Sequence, residues 1–172
     1  DADAGESTNT VGLTDQATVT SKALLTLEAT TGSIVPAGRL TLKAGTGVVI
    51  LNDMTGKANA KTLVIDADYE SAGDGTVTVA AAKTVTSNKS DVTITAWDLD
   101  ISASLLTTGT KTLSIHHAEA GQTMGVGGTA GNMHITGGEF ARITALDGLR
   151  MGSTLGGTIT VNEITVANSD KL

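Results

Sequence analysis

Val92-Thr93-Ile94-Thr95 and Thr112-Leu113-Ser114-Ile115 are the segments that decide the fold. In each, an apolar residue alternates with Thr or Ser, which is the period of a β-strand with one buried face. Similar runs recur along almost the whole chain. They are Leu24–Leu27, Arg39–Leu42, Thr62–Ile65, Thr76–Val79, Met133–Thr136, Arg142–Thr144 and Thr158–Val161. Their centres follow one another at intervals of roughly 15 to 22 residues, a spacing typical of repeat architectures.

The aromatic content separates two β architectures. The 172 residues include one Trp, one Tyr and one Phe, although 40% of the chain is hydrophobic. A β-sandwich of this size normally fills its interior with several aromatic side chains, because each buries a large area. We therefore predict an all-β fold, a single-stranded parallel β-helix (β-solenoid) with right-handed winding. Residues 1–10, polar and acidic, are predicted to be a flexible arm, and residues 11–172 the solenoid domain.

The interior of this solenoid is predicted to be a ladder of aliphatic side chains stacked from coil to coil. Its members are Leu27, Leu42, Leu63, Val77, Ile94, Leu113, Ile135, Ile143 and Ile159. Residues 52–60 are predicted to be a polar loop. Helix caps followed by a 3.6-residue apolar period are hard to find, and at most residues 139–146 would form a turn or two of helix.

The charge and the absence of cysteine exclude several classes of protein. Eighteen acidic against eleven basic residues give a net charge of -7, which repels the phosphates of nucleic acids. No apolar run approaches the roughly 20 residues that a membrane-spanning helix needs, so we expect no membrane insertion. Disulfides cannot form because the chain has no cysteine. A start at Asp1 is compatible with a mature secreted product or with a segment of a larger protein.

The stretch from Ile115 to Val161 carries short apolar elements in a fixed order. They are Met124-Gly125-Val126-Gly127, Met133-His134-Ile135, Glu139-Phe140-Ala141-Arg142-Ile143, Leu149-Arg150-Met151-Gly152 and Gly157-Thr158-Ile159-Thr160-Val161. This order resembles the repeat unit of filamentous-haemagglutinin-like giant surface proteins. Met124, Val126 and Phe140 depart from the usual Ile, Leu and Leu of that unit but remain apolar. The resemblance implies an extracellular parallel β-helix used in adhesion, surface layers or fibres, without enzyme activity.

Three histidines and one glutamate have the side chains that metal sites use. His116, His117 and Glu119 lie close in sequence, and His134 would join them from a neighbouring coil. Adjacent residues of a strand point to opposite faces, so His116 and His117 cannot ligate one ion from the same strand. We therefore predict surface or loop histidines, no metal site and no cofactor.

Two pairs of carboxylates, Asp66 with Asp68 and Asp98 with Asp100, are spaced to share one face of a strand. A glycosidase pair or a calcium site requires such an arrangement. The sequence lacks the Asn-Thr-Asp, Asp-Asp and Gly-His-Gly signatures of the pectin-degrading enzymes built on β-helices. We predict solvated acidic rims, no catalytic residue and no enzyme activity.

Three weaker patterns have local explanations. Thr-x-Thr pairs, such as Thr93 with Thr95, suggest an ice-binding face, but their spacing is irregular and Thr favours strands by itself. The Gly-rich stretch 127–132 occurs once, whereas calcium-binding β-rolls repeat such a turn in neighbouring coils. Asn88 begins an Asn-x-Ser sequon and is a candidate glycosylation site if the protein is secreted by a eukaryote.

The pattern as a whole predicts a structural, self-associating extracellular or cell-surface protein, a subunit of a fibre or surface layer that polymerises head to tail. The partner is then another copy, since an uncapped solenoid end presents unpaired strand groups. The assembly interface is predicted at Leu24, Leu27, Ile159, Ile164 and Val166. The alternatives are an adhesin segment of a giant surface protein, and a solenoid that binds ice or a surface glycan.

Overall fold

The computed structural model describes residues 9–101 and 104–172. Within those residues the chain forms short β-strands and two single-turn helices. The strands are β1 Val11–Leu13, β2 Ala17–Ser21, β3 Leu24–Leu27, β4 Ile34–Pro36, β5 Leu40–Ala44, β6 Gly47–Ile50, β7 Met54–Thr55, β8 Leu63–Asp66, β9 Thr76–Val79, β10 Thr84–Thr86, β11 Val92–Ala96, β12 Asp98–Asp100, β13 Leu105–Gly109, β14 Leu113–His117, β15 Met124–Gly127, β16 Met133–Ile135, β17 Ile143–Ala145, β18 Leu149–Met151 and β19 Ile159–Asn162. The helices are α1 Gly137–Phe140 and α2 Val166–Ser169. Of the predicted arm, residues 1–8 lie outside the described residues.

The strands form three sides of a coil, and every paired strand is parallel to its neighbour. Side A is the sheet β1-β4-β7-β10-β13-β17, and side B is the sheet β2-β5-β8-β11-β14-β18. Side C starts as the sheet β3-β6-β9-β12 and is followed along the axis by the sheet β16-β15-β19. The chain therefore winds as a parallel β-helix with three strands in each regular coil. This confirms the predicted fold class.

The inward residues of side B show how one coil holds the next. Leu42 pairs with Ile65, Ile65 with Ile94, and Ile94 with Ile115, and all four side chains are buried. Neighbouring strands lie about 4.8 Å apart, so residues paired in register stack side chain on side chain. These columns of branched aliphatic residues fill the narrow interior without aromatic rings.

Eight of the nine predicted ladder residues are buried, which confirms that part of the prediction. They are Leu27, Leu42, Leu63, Val77, Ile94, Leu113, Ile135 and Ile143. The prediction for Ile159 is wrong, because its side chain is 38% exposed. Ile159 pairs with the buried Met124, but among the described residues no strand pairs with β19 on its other side.

Side A did not emerge from the sequence as a series of its own. The strands β4 and β7 have three and two residues, too few for alternation to be recognised. Met54 is buried in β7, although residues 52–60 were expected to form a polar loop. The strand centres predicted from the sequence belong partly to side B and partly to side C. The interval between them is therefore shorter than one full coil, which runs for example from Leu42 to Ile65.

Residues 128–141 form an excursion that places an extra strand on side C. The chain leaves β15, returns, and forms β16 parallel to β15. Gly125 permits this return, since a Cβ there would lie 2.0 Å from the carbonyl oxygen of Thr129. On its other side β16 meets β12, where the Asp98 carboxylate accepts a hydrogen bond from the His134 N–H at 3.0 Å.

The helix α1 closes this excursion. Thr136 is its N-cap and its hydroxyl accepts the Glu139 N–H, while the Glu139 carboxylate accepts the Thr136 N–H, which is a complete capping box. Buried Glu139 also accepts the Ile101 N–H at 3.2 Å, which ties the excursion to the previous coil. The expected helical turns within 139–146 are thus shifted, since the helix ends at Phe140 and Ile143–Ala145 is a strand.

The last ten residues fold back over one side of the final coil. After α2, the Lys171 carbonyl accepts the Ala145 N–H at 2.9 Å, on the edge of β17. Ile164 and Leu172 pack against the core. The sequence showed no cap at this end, and the structure corrects that expectation for side A, where the chain covers part of the strand edge. Among the described residues no helix is long and apolar enough to cross a bilayer.

A first prediction concerns the stacked interior. Ile94→Ala should lower the free energy of unfolding by about 2 to 5 kcal/mol, because a cavity opens between two coils that cannot collapse. The matched control is Thr93→Ala, an outward residue of the same strand, with a loss below about 1 kcal/mol. Urea unfolding followed by circular dichroism measures both, and equal losses would show that the column of side B does not hold the coils together.

Candidate assembly surfaces at the two ends

The N-terminal end of the solenoid is a row of three strands, each paired on one side. β1, β2 and β3 pair with β4, β5 and β6, and no other described strand lies beyond them. A strand edge presents unpaired N–H and C=O groups that can pair with another chain. Leu24 in β3 is 53% exposed, and Val19 and Leu25 are partly buried against the core. This end therefore offers both strand edges and apolar side chains.

The C-terminal end exposes a cross-section of the core. Ile159 and Val161 pair with Met124 and Val126, both of which are buried. Paired residues face the same side of a sheet, so Ile159 and Val161 point inward. They are nevertheless 38% and 58% exposed. The core columns thus continue to the last strand and stop there without a covering layer in the described part of the chain.

The predicted interface residues divide between the two ends. Leu24 is exposed at the N-terminal end, and Ile159 and Val166 are exposed at the C-terminal end, Val166 by 85%. Leu27, on the edge strand β3, is 7% exposed and belongs to the core, and its place in the interface stays a prediction. Ile164 is partly buried and packs against the core.

The exposed apolar residues that sequence reasoning missed at the C-terminal end include Val161 and Leu155. Val161 follows Ile159 at the two-residue period of the strand, and this signal places both side chains on one face. Leu155 lies in a loop between β18 and β19, and the sequence carries no signal for its exposure.

His116 and His117 point to opposite faces of β14, as the strand geometry predicted, but the expectation that the histidines lie on the surface or in loops is wrong for His117. His116 is half-buried on the outer face of β14, and His117 is buried inside. His134 lies in β16, with its Nε2 3.0 Å from the Gly127 carbonyl oxygen. Among residues 9–101 and 104–172, no group of three or more His, Asp and Glu side chains is arranged to hold a metal ion.

The His117 ring is the least satisfied polar group in the core. Neither of its nitrogens has a hydrogen-bond partner. The loop between β18 and β19 covers the ring, and a Cβ on Gly156 would lie 1.9 Å from Nδ1. Burial, and secondarily the neighbouring His116, lower the pKa of His117 below its usual 6.5. This arrangement favours the neutral ring and makes the last coil sensitive to acid.

The expectation that both carboxylate pairs form solvated acidic rims is wrong for Asp68. Asp68 is buried and accepts the backbone N–H groups of Ala72 and Gly73 at 3.0 Å each, which closes a turn. Asp66 is half-buried, and burial raises its pKa. Burial likewise raises the pKa of Asp98, although the hydrogen bond from the His134 N–H opposes this effect. Asp100, on the same strand, is exposed.

The outward Thr residues form interrupted columns on sides B and C. On side B, Thr18 and Thr41 are followed by Val64 before Thr93. Side A carries a continuous column that the sequence did not reveal, made of Thr55, Thr86, Thr107 and Thr144. It is a single column, with Gly12 and Val35 at its N-terminal end.

The remaining candidate is the sequon. Asn88 has a positive φ of 54° in a turn, and its Nδ2 donates to the Lys57 carbonyl at 3.3 Å. A glycan on that nitrogen would replace this hydrogen bond. Glycosylation at Asn88 stays a prediction.

Comparison with known proteins adds no relative. No protein-family model, no curated protein and no solved structure matches the chain.

A second prediction uses the buried ring. The free energy of unfolding should fall as pH drops below 6.5, because the unfolded chain then binds a proton that the buried His117 resists. His117→Leu should remove most of this slope, whereas His116→Leu, on the outer face, should retain most of it. Thermal unfolding between pH 7.5 and 5 measures the effect. An identical acid slope in wild type and His117→Leu would show that another group causes it.

Proposed function

We propose that the protein is a structural, self-associating β-solenoid that polymerises head to tail into a fibre or surface layer. The observation that carries the proposal is the exposed cross-section of the core, with inward Ile159 and Val161 at one end and the inward, only partly buried Val19 and Leu25 at the other. The coils of a second copy, stacked on this surface, would cover its exposed apolar side chains.

The register supports a joint between unlike ends. β18 and β19 form the free edges of sides B and C at the C-terminal end, and β2 and β3 form them at the N-terminal end. Pairing β18 with β2 and β19 with β3 of the next copy would continue both parallel sheets. Such a contact is heterologous, so it propagates into a filament unless the rotation closes a ring.

The energy of the joint has to come from several sources. Fully burying a Val, Leu or Ile side chain contributes about 1.5 to 3 kcal/mol, but the four inward residues concerned, Val19, Leu25, Ile159 and Val161, already have part of their surface covered. Association itself costs roughly 4 to 15 kcal/mol. The strand hydrogen bonds, at about 1 kcal/mol each, are therefore needed as well. Assembly should accordingly depend on protein concentration.

The proposed setting is extracellular or at the cell surface, without enzyme activity. It is supported by the resemblance of residues 115–161 to filamentous-haemagglutinin-like repeats, which the parallel β-helix accommodates as β15, β16, α1, β17, β18 and β19. The net charge of -7 argues against nucleic acid as the partner.

The second candidate is an adhesin segment whose ends continue into further coils of one long polypeptide, presented to a surface glycan. The same exposed ends favour it, because covalent neighbours would cover them. The two candidates differ in whether separate copies of this chain associate.

A third prediction separates them. Wild type should sediment as polymer at high concentration, and Val161→Asp should sediment as monomer because it places a charge in the proposed joint. Val161 is already 58% exposed, so the variant should fold, which circular dichroism would verify. Tyr69→Asp, a change at an exposed residue between sides B and C, is the control and should polymerise. A wild type that stays monomeric at millimolar concentration would leave the adhesin segment as the better account.

A further inference from the structure

A groove with three basic side chains opens along the starting edge of side A. It encloses about 460 Å³ and is lined by Lys83, Arg142 and Lys171 together with Thr84, Ser104 and Leu105, among others. Its lining residues include no carboxylate. Asp53, in the preceding coil, uses a carboxylate oxygen to accept the Thr84 N–H at 2.8 Å. In a chain with a net charge of -7, the groove is a local concentration of positive charge.

The register places the groove in line with the start of β1. Thr84, Leu105 and Arg142 each directly precede a core residue of side A, namely Val85, Leu106 and Ile143. The corresponding core residue at the N-terminal end is Val11, and Thr10 precedes it. In a head-to-tail stack, Thr10 of the next copy would therefore extend the column formed by Thr84, Leu105 and Arg142. The residues that precede Thr10 would lie next to the groove.

That entering chain has the complementary charge. Residues 1–8 read Asp-Ala-Asp-Ala-Gly-Glu-Ser-Thr, with three carboxylates and no Lys or Arg. Opposite charges across an interface steer association and fix its register. On side A, a joint between copies cannot form by simple strand pairing with β17, because the Lys171 carbonyl already accepts the Ala145 N–H on that edge. Another kind of contact is needed there.

We propose that the acidic segment 1–8 of one copy docks in the basic groove of the preceding copy. This inference rests on the proposed head-to-tail assembly. The docked segment supplies the third side of the joint, where the sheet cannot simply continue. Because the contact is largely ionic and lies at the surface, added salt weakens it.

The first experiment measures assembly of charge variants by sedimentation at low and high salt. The arm variant Asp1→Asn/Asp3→Asn/Glu6→Gln and the groove variant Lys83→Gln/Lys171→Gln should each raise the concentration needed for assembly about tenfold at low salt. Lys57→Gln/Lys89→Gln makes the same change of net charge at exposed positions outside the groove and should have little effect. If the wild type assembles and neither the arm variant nor the groove variant changes the concentration needed, the docking inference is overturned. The proposed head-to-tail assembly is then unaffected.

The second experiment tests the contact without assembly. An acetylated, fluorescent peptide of residues 1–8 is titrated against the Val161→Asp protein carrying the neutralised arm, with fluorescence anisotropy as the readout. Saturable binding that the groove variant reduces supports the docking site, even if the wild-type chain does not polymerise. Absence of saturable binding overturns it. Binding that is seen with the neutralised arm and is lost when the native arm is present shows that the segment fills the groove of its own copy, which also overturns docking between copies.

Discussion

The rest of the structure depends on parallel pairing in register between successive coils. It stacks Leu42, Ile65, Ile94 and Ile115 into one column, and equivalent columns line the other sides. Each coil contacts chiefly the coils before and after it, as in other repeat proteins. A branched aliphatic side chain fills its share of the interior without an aromatic ring. The composition, with three aromatic residues in 172, follows from this geometry.

The same constraint explains where polar groups are tolerated inside. Asp68 closes a turn with two backbone N–H groups, and Glu139 joins a helix cap to the preceding coil. Both carboxylates replace hydrogen bonds that the irregular backbone at a corner would otherwise lack. His117 is different, since it stands beside Ala96 in the ladder and neither ring nitrogen is bonded. The His117 ring is buried only while the loop between β18 and β19 covers it. Opening of this loop and exposure of the ring are therefore coupled.

The sequence was sufficient where strands are long enough to alternate. β5, β8, β11 and β14 were found with their inward residues, because four or five residues show the two-residue period. β4 and β7 were missed because burial of Ile34 and Met54 comes from neighbouring coils and leaves no local pattern. The short helix α1 was misplaced because a capping box specifies one turn without any apolar period.

The candidate surfaces were predictable to a smaller degree. Leu24 and Ile159 stand in recognisable strands, but only the arrangement of coils shows that their strands are the outermost ones. Leu27, two residues after the partly buried Leu25, is instead buried. The basic groove could not be predicted, because Lys83, Arg142 and Lys171 are far apart in sequence and meet only through the register of side A.

The extra strand β16 has a geometric consequence for any assembly of this protein. Beyond β12, side C carries β16, β15 and β19, whereas side B beyond β11 carries β14 and β18. One additional strand spacing is about 4.8 Å, and on side A the Lys171 carbonyl segment similarly lies beyond β17. The terminal face is therefore inclined toward side B, like the face of a wedge. Wedges stacked in one orientation generate curvature, so a fibre of such subunits would follow a bent or superhelical path.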